Sequence, residues 1–135
     1  MSIFIEEPEA NLFPERQKNI AYFLASLQKK KNRPELILST HSPYILTSLN
    51  NLLFANQIIK ENETLKEKVN KIIDDKFLID HEDCDAYLVS DGTVRSMMHE
   101  ETKLIDADEI DNVSVSSAKD FDSLLQIQME VSVNE

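Results

Sequence analysis

"SIFIEEPEANLFPE", residues 2–15, places two adjacent glutamates directly after a short apolar run. Residues 2–5 predict the end of a buried strand, because a short continuous apolar segment is typical of a parallel sheet. Side chains alternate along a strand, so Glu6 and Glu7 would face opposite ways if the strand continued. We therefore expect the strand to end at these glutamates, and Pro8 agrees with that ending.

A second strand and two helices follow the opening stretch. Pro14 at a first helical position predicts a helix, and its apolar stripe falls at i, i+3, i+4 and i+7: Ile20, Phe23, Leu24 and Leu27. Residues 35–40 predict a second apolar strand, and Ser42 before Pro43 predicts the N-cap of another helix. Residues 52–55 suggest a third strand. This order predicts an α/β fold with a short parallel sheet and right-handed crossovers.

The character of the chain changes near residue 60. We expect residues 1–60 to form one part and residues 61–135 to form an acidic extension. The extension should contain a short helix near 65–73, a β-hairpin over 86–97 with Asp91-Gly92 at its turn, and a last helix. Ser117 and Asp120 could cap that last helix, which would carry Phe121, Leu124 and Leu125.

Composition limits the possible functions. The chain has 135 residues, one cysteine, one glycine and a net charge of −11. Residues 61–135 carry twenty acidic against seven basic residues, which should repel nucleic acid and gives no support for binding it. No apolar run is long enough for a membrane span, and the single Cys84 fits a cytoplasmic location.

The adjacent carboxylates suggest phosphoryl chemistry. In open α/β sheets, ligands bind at the carboxyl ends of the strands, where Glu6 and Glu7 should lie. Hydrolysis of a nucleotide needs a carboxylate near Mg²⁺ and a positioned attacking water. Glu6 suits the first role, through a bridging water, and Glu7 suits the second. His41 follows the second strand, where a histidine can hydrogen-bond a γ-phosphate or the attacking water.

"IFIEEPEANLFPE" followed by "LILSTHSPYIL" resembles the Walker B segment, D-loop and switch-histidine loop of ABC-type P-loop ATPases. The similarity covers residues 3–49, and it implies that residues 1–60 are the C-terminal half of an ABC-type ATPase core. It is greatest to the prokaryotic branch with "IEEPExxLHP" and "THSP" signatures, which includes the OLD-like and AAA-type ATP-binding proteins, relatives of the chromosome-maintenance ATPases. The later "AYLVSDGTVRSM" also resembles the C-terminal extension of some bacterial members.

The resemblance implies a role for each matching position. Glu6 occupies the Walker B acidic position near Mg²⁺, Glu7 the catalytic glutamate and His41 the switch histidine. Asn11 lies in the D-loop region, which in the family contacts the opposing subunit at the ATP site. Phe13 replaces a histidine of the signature, so a contact made by that histidine is not expected here.

One large departure concerns the phosphates. The chain has no G-x-x-x-x-G-K-[ST] segment, and its one glycine cannot build such a loop. We therefore expect the C-terminal part of a larger ATPase, from a truncated reading frame or a split protein. It would be inactive alone and would bind no ATP or Mg²⁺ tightly. Its partners would be the missing P-loop portion or a second ATPase subunit, and exposed strand edges predict self-association.

Other interpretations remain open. The chain could be a non-catalytic, acidic protein-interaction module derived from such an ATPase, with Glu6, Glu7 and His41 idle. The dense cluster "HEDCD", residues 81–85, could bind a metal, although a solvated loop is the simpler interpretation. "DAD", residues 106–108, is similar to the D-x-D of metal-dependent nucleases, but the start of an acidic helix explains it as well.

Overall fold

The computed structural model describes residues 1–106, 108 and 119–130. The chain divides into two compact units, Met1–Ile105 and Asp106–Glu135. The candidate site residues all belong to the first unit. The predicted division of the chain near residue 60 stays a prediction.

The first unit contains a two-stranded parallel sheet. Strand β1 (Ser2–Glu6) pairs with β2 (Glu35–Ser39) in a register that runs from Ser2 opposite Glu35 to Glu6 opposite Ser39. The short parallel sheet is thus confirmed, and β1 ends at the first glutamate, as expected. Both strands reach the same carboxyl edge, so the segments that follow them start side by side.

The two faces of this sheet differ in exposure. Ile3, Ile5, Leu36 and Leu38 are half-buried on one face. On the other face, Phe4 is 64% exposed and its partner Ile37 is 46% exposed. Parallel strands are normally covered on both faces, which is why they are apolar throughout. The sequence of β1 and β2 therefore suits a more enclosed sheet than this unit alone provides.

Helix α1 (Pro14–Ser26) begins at the predicted proline and continues as a 3₁₀ turn over Leu27–Lys29. Its buried residues are Gln17, Ala21, Leu24 and Ala25. The predicted stripe was wrong in part, because Phe23 is 55% exposed. Ala21 and Ala25 allow α1 to pack closely against the next helix along the chain. The bulkier Phe23 lies outside this helix–helix contact.

Helix α2 (Pro43–Glu61) begins after the Ser42 cap, as predicted, and runs through the region 52–55. The predicted third strand was therefore wrong. Leu52 and Leu53 are fully buried and Phe54 is half-exposed, which is the pattern of one helical face rather than of a strand. A short apolar run does not distinguish a buried strand from a buried helix, and the 3.6-residue period from Ile45 onwards favours the helix.

Short elements complete the first unit. After a 3₁₀ turn over Glu63–Leu65 comes helix α3 (Lys66–Asn70), which is shorter than the helix predicted near residues 65–73. Two more 3₁₀ turns, Asp75–Phe77 and His81–Asp83, lead to the hairpin of β3 (Tyr87–Ser90) and β4 (Thr93–Ser96). The predicted hairpin is confirmed, with Asp91 and Gly92 both at positive φ. The hydrophobic core comprises Ala21, Leu24, Ala25, Ile45, Leu52, Leu53, Ala55, Val69, Ile73, Leu78, Met97 and Ile105.

The second unit is described over 106, 108 and 119–130. Residues 119–130 are helical, which confirms the last helix, whereas its proposed cap Ser117 lies outside the described residues. Phe121 and Leu124 are 62% and 64% exposed. None of the helices in the described part of the chain has the length and hydropathy needed to cross a bilayer.

Candidate functional site

Glu7 adopts a backbone conformation that is unusual for a residue with a side chain. Its φ is +48°, in the left-handed region that favours glycine. The sheet imposes this geometry, because the Glu7 N–H still donates to the Ser39 carbonyl at 2.8 Å while the chain turns away. Backbone strain of this kind concentrates at functional sites, where the surrounding structure maintains it. Because the chain turns at Glu7, Glu6 and Glu7 do not belong to one continuous strand. The alternation of side chains along a strand therefore does not set the direction of the Glu7 side chain.

His41 lies beside Glu7 at the carboxyl edge of the sheet. The Nε2 atom of His41 is 3.9 Å from Oε1 of Glu7. Both side chains are open to solvent, with 91% of the His41 side chain and 52% of the Glu7 side chain exposed. An exposed pair at this distance adds little stability. A carboxylate and an imidazole that face one another without a stabilising role are available for chemistry at this edge.

Glu6 and Asn11 occupy different positions around the same edge. Glu6 is the last residue of β1, and its side chain is exposed on the same face as Phe4. Asn11 lies in the loop between β1 and α1, is exposed, and has a φ of +61°. The structure therefore brings Glu6, Glu7 and His41 to one sheet edge, with Asn11 in the adjacent loop. The roles assigned to these residues stay predictions.

Two hydrogen-bonded connections join the loop after β1 to the loop after β2. The His41 backbone N–H donates to Oε1 of Glu9 at 3.0 Å. The Ser42 hydroxyl donates to Oε1 of Gln17, whose amide nitrogen donates to the Leu12 carbonyl at 2.9 Å. Sequence reasoning missed Glu9 and Gln17 as contributors to this edge. Glu9 belongs to the opening stretch of the sequence, but nothing in the sequence indicates that it accepts a hydrogen bond from a residue 32 positions away.

The carboxylates at this edge are of the kind that binds Mg²⁺. Mg²⁺ prefers oxygen ligands and keeps several waters, so it is commonly held by one or two carboxylates together with substrate phosphates. Glu6 and Glu7 offer such oxygens. Among the described residues, no group of three or more His, Cys, Asp or Glu side chains is arranged to hold a metal ion. The single glycine, Gly92, lies in the hairpin turn, so no glycine-rich phosphate loop is present in the sequence.

The "HEDCD" segment has a structural explanation. Asp83 accepts a bidentate pair of hydrogen bonds from Arg33, at 2.9 and 3.3 Å, and Asp80 pairs with Lys60. Burial raises the pKa of the Cys84 thiol, and the neighbouring carboxylates of Asp85 and Asp83 add to this effect. A protonated thiol is a poor metal ligand. The segment is therefore a turn that an ion pair fastens to the residues before β2, and the residue that precedes it, Asp80, is paired with α2.

The "DAD" segment is described only at its two acids. The Asp108 N–H donates to the Asp106 carboxylate at 3.0 Å, and Ala107 lies outside the described residues. This local bond is typical of a polar turn before a helix rather than of a metal site. It favours the simpler of the two interpretations.

An open, mostly apolar groove of about 570 Å³ lies between α1, α2 and α3. Its lining includes Tyr22, Tyr44 and Phe54. None of Glu6, Glu7 and His41 contributes to it. The groove is therefore distinct from the edge that carries these three residues.

Residues 2–46 match the family model of the AAA ATPase domain. The match spans β1, α1, β2 and the beginning of α2, and so includes Glu6, Glu7, Asn11 and His41. It supports a P-loop ATPase-type domain and, in general terms, the use of ATP and Mg²⁺. Comparison with curated proteins found no match, and comparison with solved structures found none.

Proposed function

We propose that this chain is the C-terminal part of an ABC-type ATPase of the OLD-like branch, and that it hydrolyses ATP only when a P-loop completes it. The observation that carries the proposal is the juxtaposition of Glu7 and His41, 3.9 Å apart at the carboxyl edge of a parallel sheet. The left-handed backbone of Glu7 supports it, because this conformation is costly for a glutamate and such strain concentrates at functional sites. The AAA ATPase match over the same residues supports the ATPase class.

Each residue at the edge has a distinct proposed role. Glu7 accepts the proton of the attacking water or orients that water, and His41 donates to the γ-phosphate. Glu6 orients a water of the Mg²⁺ hydration shell. When bound, Mg²⁺ would neutralise part of the charge on the phosphates. Asn11, exposed in the neighbouring loop, is positioned to contact an opposing subunit.

The proposal requires a partner for the chain. A P-loop lobe would supply the backbone amides and the lysine that hold the phosphates, which this sequence lacks. The exposed face at Phe4 and Ile37 and the open sheet edges offer a surface for such a lobe or for a second ATPase subunit. Nucleic acid could be the target of the intact system, although the charge of this chain does not favour it. We place the protein in the cytoplasm, where ATP is available.

ATP hydrolysis by the completed protein tests the proposal. The chain is joined behind, or mixed with, a P-loop lobe of the same family, and steady-state turnover is compared for wild type and Glu7→Gln. Loss of a general base typically lowers turnover by about 10²- to 10⁴-fold, whereas ATP binding should be retained. Glu61→Gln, an exposed glutamate at the end of α2, is the matched control. Equal turnover in Glu7→Gln and wild type would contradict the proposal.

A second function is favoured by the exposed hairpin. Tyr87, Val89 and Val94 are 60%, 74% and 66% exposed, and Val89 lies directly opposite Val94. An isolated two-stranded hairpin is only marginally stable in water. These observations suit a non-catalytic interaction module that binds a partner protein. If that is the function, partner binding would be lost in Val89→Lys and unaffected by Glu7→Gln.

A further inference from the structure

Glu9 makes a contact that the proposed chemistry does not use. It lies in the loop between β1 and α1, and its Oε1 atom accepts the His41 backbone N–H at 3.0 Å. Its other oxygen, Oε2, is buried and has no hydrogen-bond partner among the described residues. Glu9 is thus a partly buried carboxylate that is directed towards the loop after β2 rather than towards solvent.

The loop itself does not need this side chain. Main-chain bonds close it, since the Ala10 N–H donates to the Glu7 carbonyl and the Leu12 N–H donates to the Glu9 carbonyl, both at 3.0 Å. Burial of a carboxylate oxygen without a partner costs free energy. A small polar residue would form the same turn without that cost. The bond to His41 is therefore the distinctive consequence of having glutamate here.

We propose that Glu9 is a positioning residue, which holds the His41 main chain against the loop that carries Glu7 and so maintains the His41–Glu7 approach. The bond is charge-assisted, which makes it stronger than a neutral hydrogen bond. The His41 side chain has little else to fix it, because it is 91% exposed. The importance of this position for catalysis rests on the proposed function.

The hydrogen bonds of Ser42 support the same assignment. Ser42 is buried, caps α2 by accepting the Ile45 N–H at 3.3 Å, and donates to Gln17. Gln17 in turn binds the Leu12 carbonyl of the first loop. The residue after His41 is therefore anchored independently of Glu9. Removal of Glu9 should release His41 without detaching α2, so its effect should be local.

Nuclear magnetic resonance of the full chain tests this inference without any nucleotide. In wild type, Glu7→Gln should shift the ring resonances of His41, because the two side chains are close. In Glu9→Ala, the same Glu7→Gln change should leave the ring resonances of His41 unaltered. The exchange protection of the His41 amide should also fall by about 10- to 100-fold in Glu9→Ala, as expected for a lost bond to a charged group.

Conservative and control variants complete the experiment. Glu9→Gln retains an acceptor oxygen at the same reach, so it should preserve the ring response while amide protection falls several-fold. Glu15→Gln, a glutamate at the start of α1, should change neither quantity. Unchanged His41 protection and an unchanged ring response in Glu9→Ala would overturn the inference. If Glu9→Ala does not fold, unchanged His41 protection in Glu9→Gln would overturn it instead. Because no ATP is used, failure of the ATPase proposal would not affect this result.

Discussion

At the residue scale, the most informative feature is a glutamate in a conformation that favours glycine. Glu7 has a φ of +48° and presents an exposed carboxylate 3.9 Å from the His41 imidazole. Nothing in the packing of the unit requires this side chain. The strain is explained if the carboxylate is retained for chemistry, as functional residues often are at the expense of stability.

Substitution of Glu7 by glycine should therefore stabilise the chain. The left-handed conformation costs an ordinary residue roughly 1 kcal/mol, and glycine avoids that cost. Urea unfolding should show a higher free energy of unfolding for Glu7→Gly by about that amount. Glu6→Gly is the matched control, because glycine within a strand should lower the free energy of unfolding by about 0.5–1 kcal/mol. Equal losses in the two variants would contradict this explanation of Glu7.

A second residue-scale prediction concerns the stability of the chain at low pH. The hydrogen bond from Lys60 lowers the pKa of Asp80 below its ordinary 3.8, and the Glu82 backbone N–H contributes further. A carboxylate with a depressed folded pKa adds stability above its ordinary pKa, and that stability is lost as pH falls through the lower folded value. Urea unfolding between about pH 5 and pH 2 should lose less stability in Asp80→Asn than in wild type. Parallel curves for the two proteins would show that Asp80 makes no such contribution.

At the element scale, the ends of strands and the starts of helices were predictable because local chemistry specifies them. Pro14 and the Ser42-Pro43 pair mark helix starts, and Asp91-Gly92 marks the hairpin turn. The assignment of 52–55 failed because a short apolar run suits either a strand or a buried helix. The Glu7 conformation and the Glu9–His41 bond could not be predicted, since each depends on how two strands pair rather than on local sequence.

The cap of α2 gives a prediction for one element. Ser42→Ala removes the hydroxyl that accepts the Ile45 N–H and leaves the buried Gln17 side chain without that partner. Loss of a cap costs about 1 kcal/mol, and an unsatisfied buried group adds about 1–3 kcal/mol. The free energy of unfolding should thus fall by roughly 2–4 kcal/mol. Ser26→Ala, which removes only an exposed bond to the Phe23 carbonyl, should cost far less.

At the scale of the whole molecule, the first unit has a sheet that is too open for its sequence. Two parallel apolar strands expose Phe4 and Ile37 on one face. The same sequence provides Glu6, Glu7 and His41, which we propose for a nucleotide site, but no glycine-rich loop for the phosphates. A partner lobe that supplies a P-loop and covers the sheet would account for both features together.

Self-association of the purified chain is expected for the same reason. Sedimentation across micromolar concentrations should show a mass above that of the 15.5 kDa monomer. Phe4→Lys should reduce association if the exposed face mediates it, because a charge there opposes apolar contact. Phe23→Lys, at a similarly exposed phenylalanine on α1, is the control. A monomer at all these concentrations would contradict the expectation.

The central claim, that Glu7 acts on the attacking water of an ATP site completed by a P-loop lobe, is tested most directly by ATP turnover. The measurement compares wild type and Glu7→Gln in the protein completed with that lobe. We predict turnover in wild type, a loss of about 10²-fold or more in Glu7→Gln with ATP still bound, and no turnover by the 135-residue chain alone. ATP hydrolysis by the isolated chain, or undiminished turnover in Glu7→Gln, would contradict the claim.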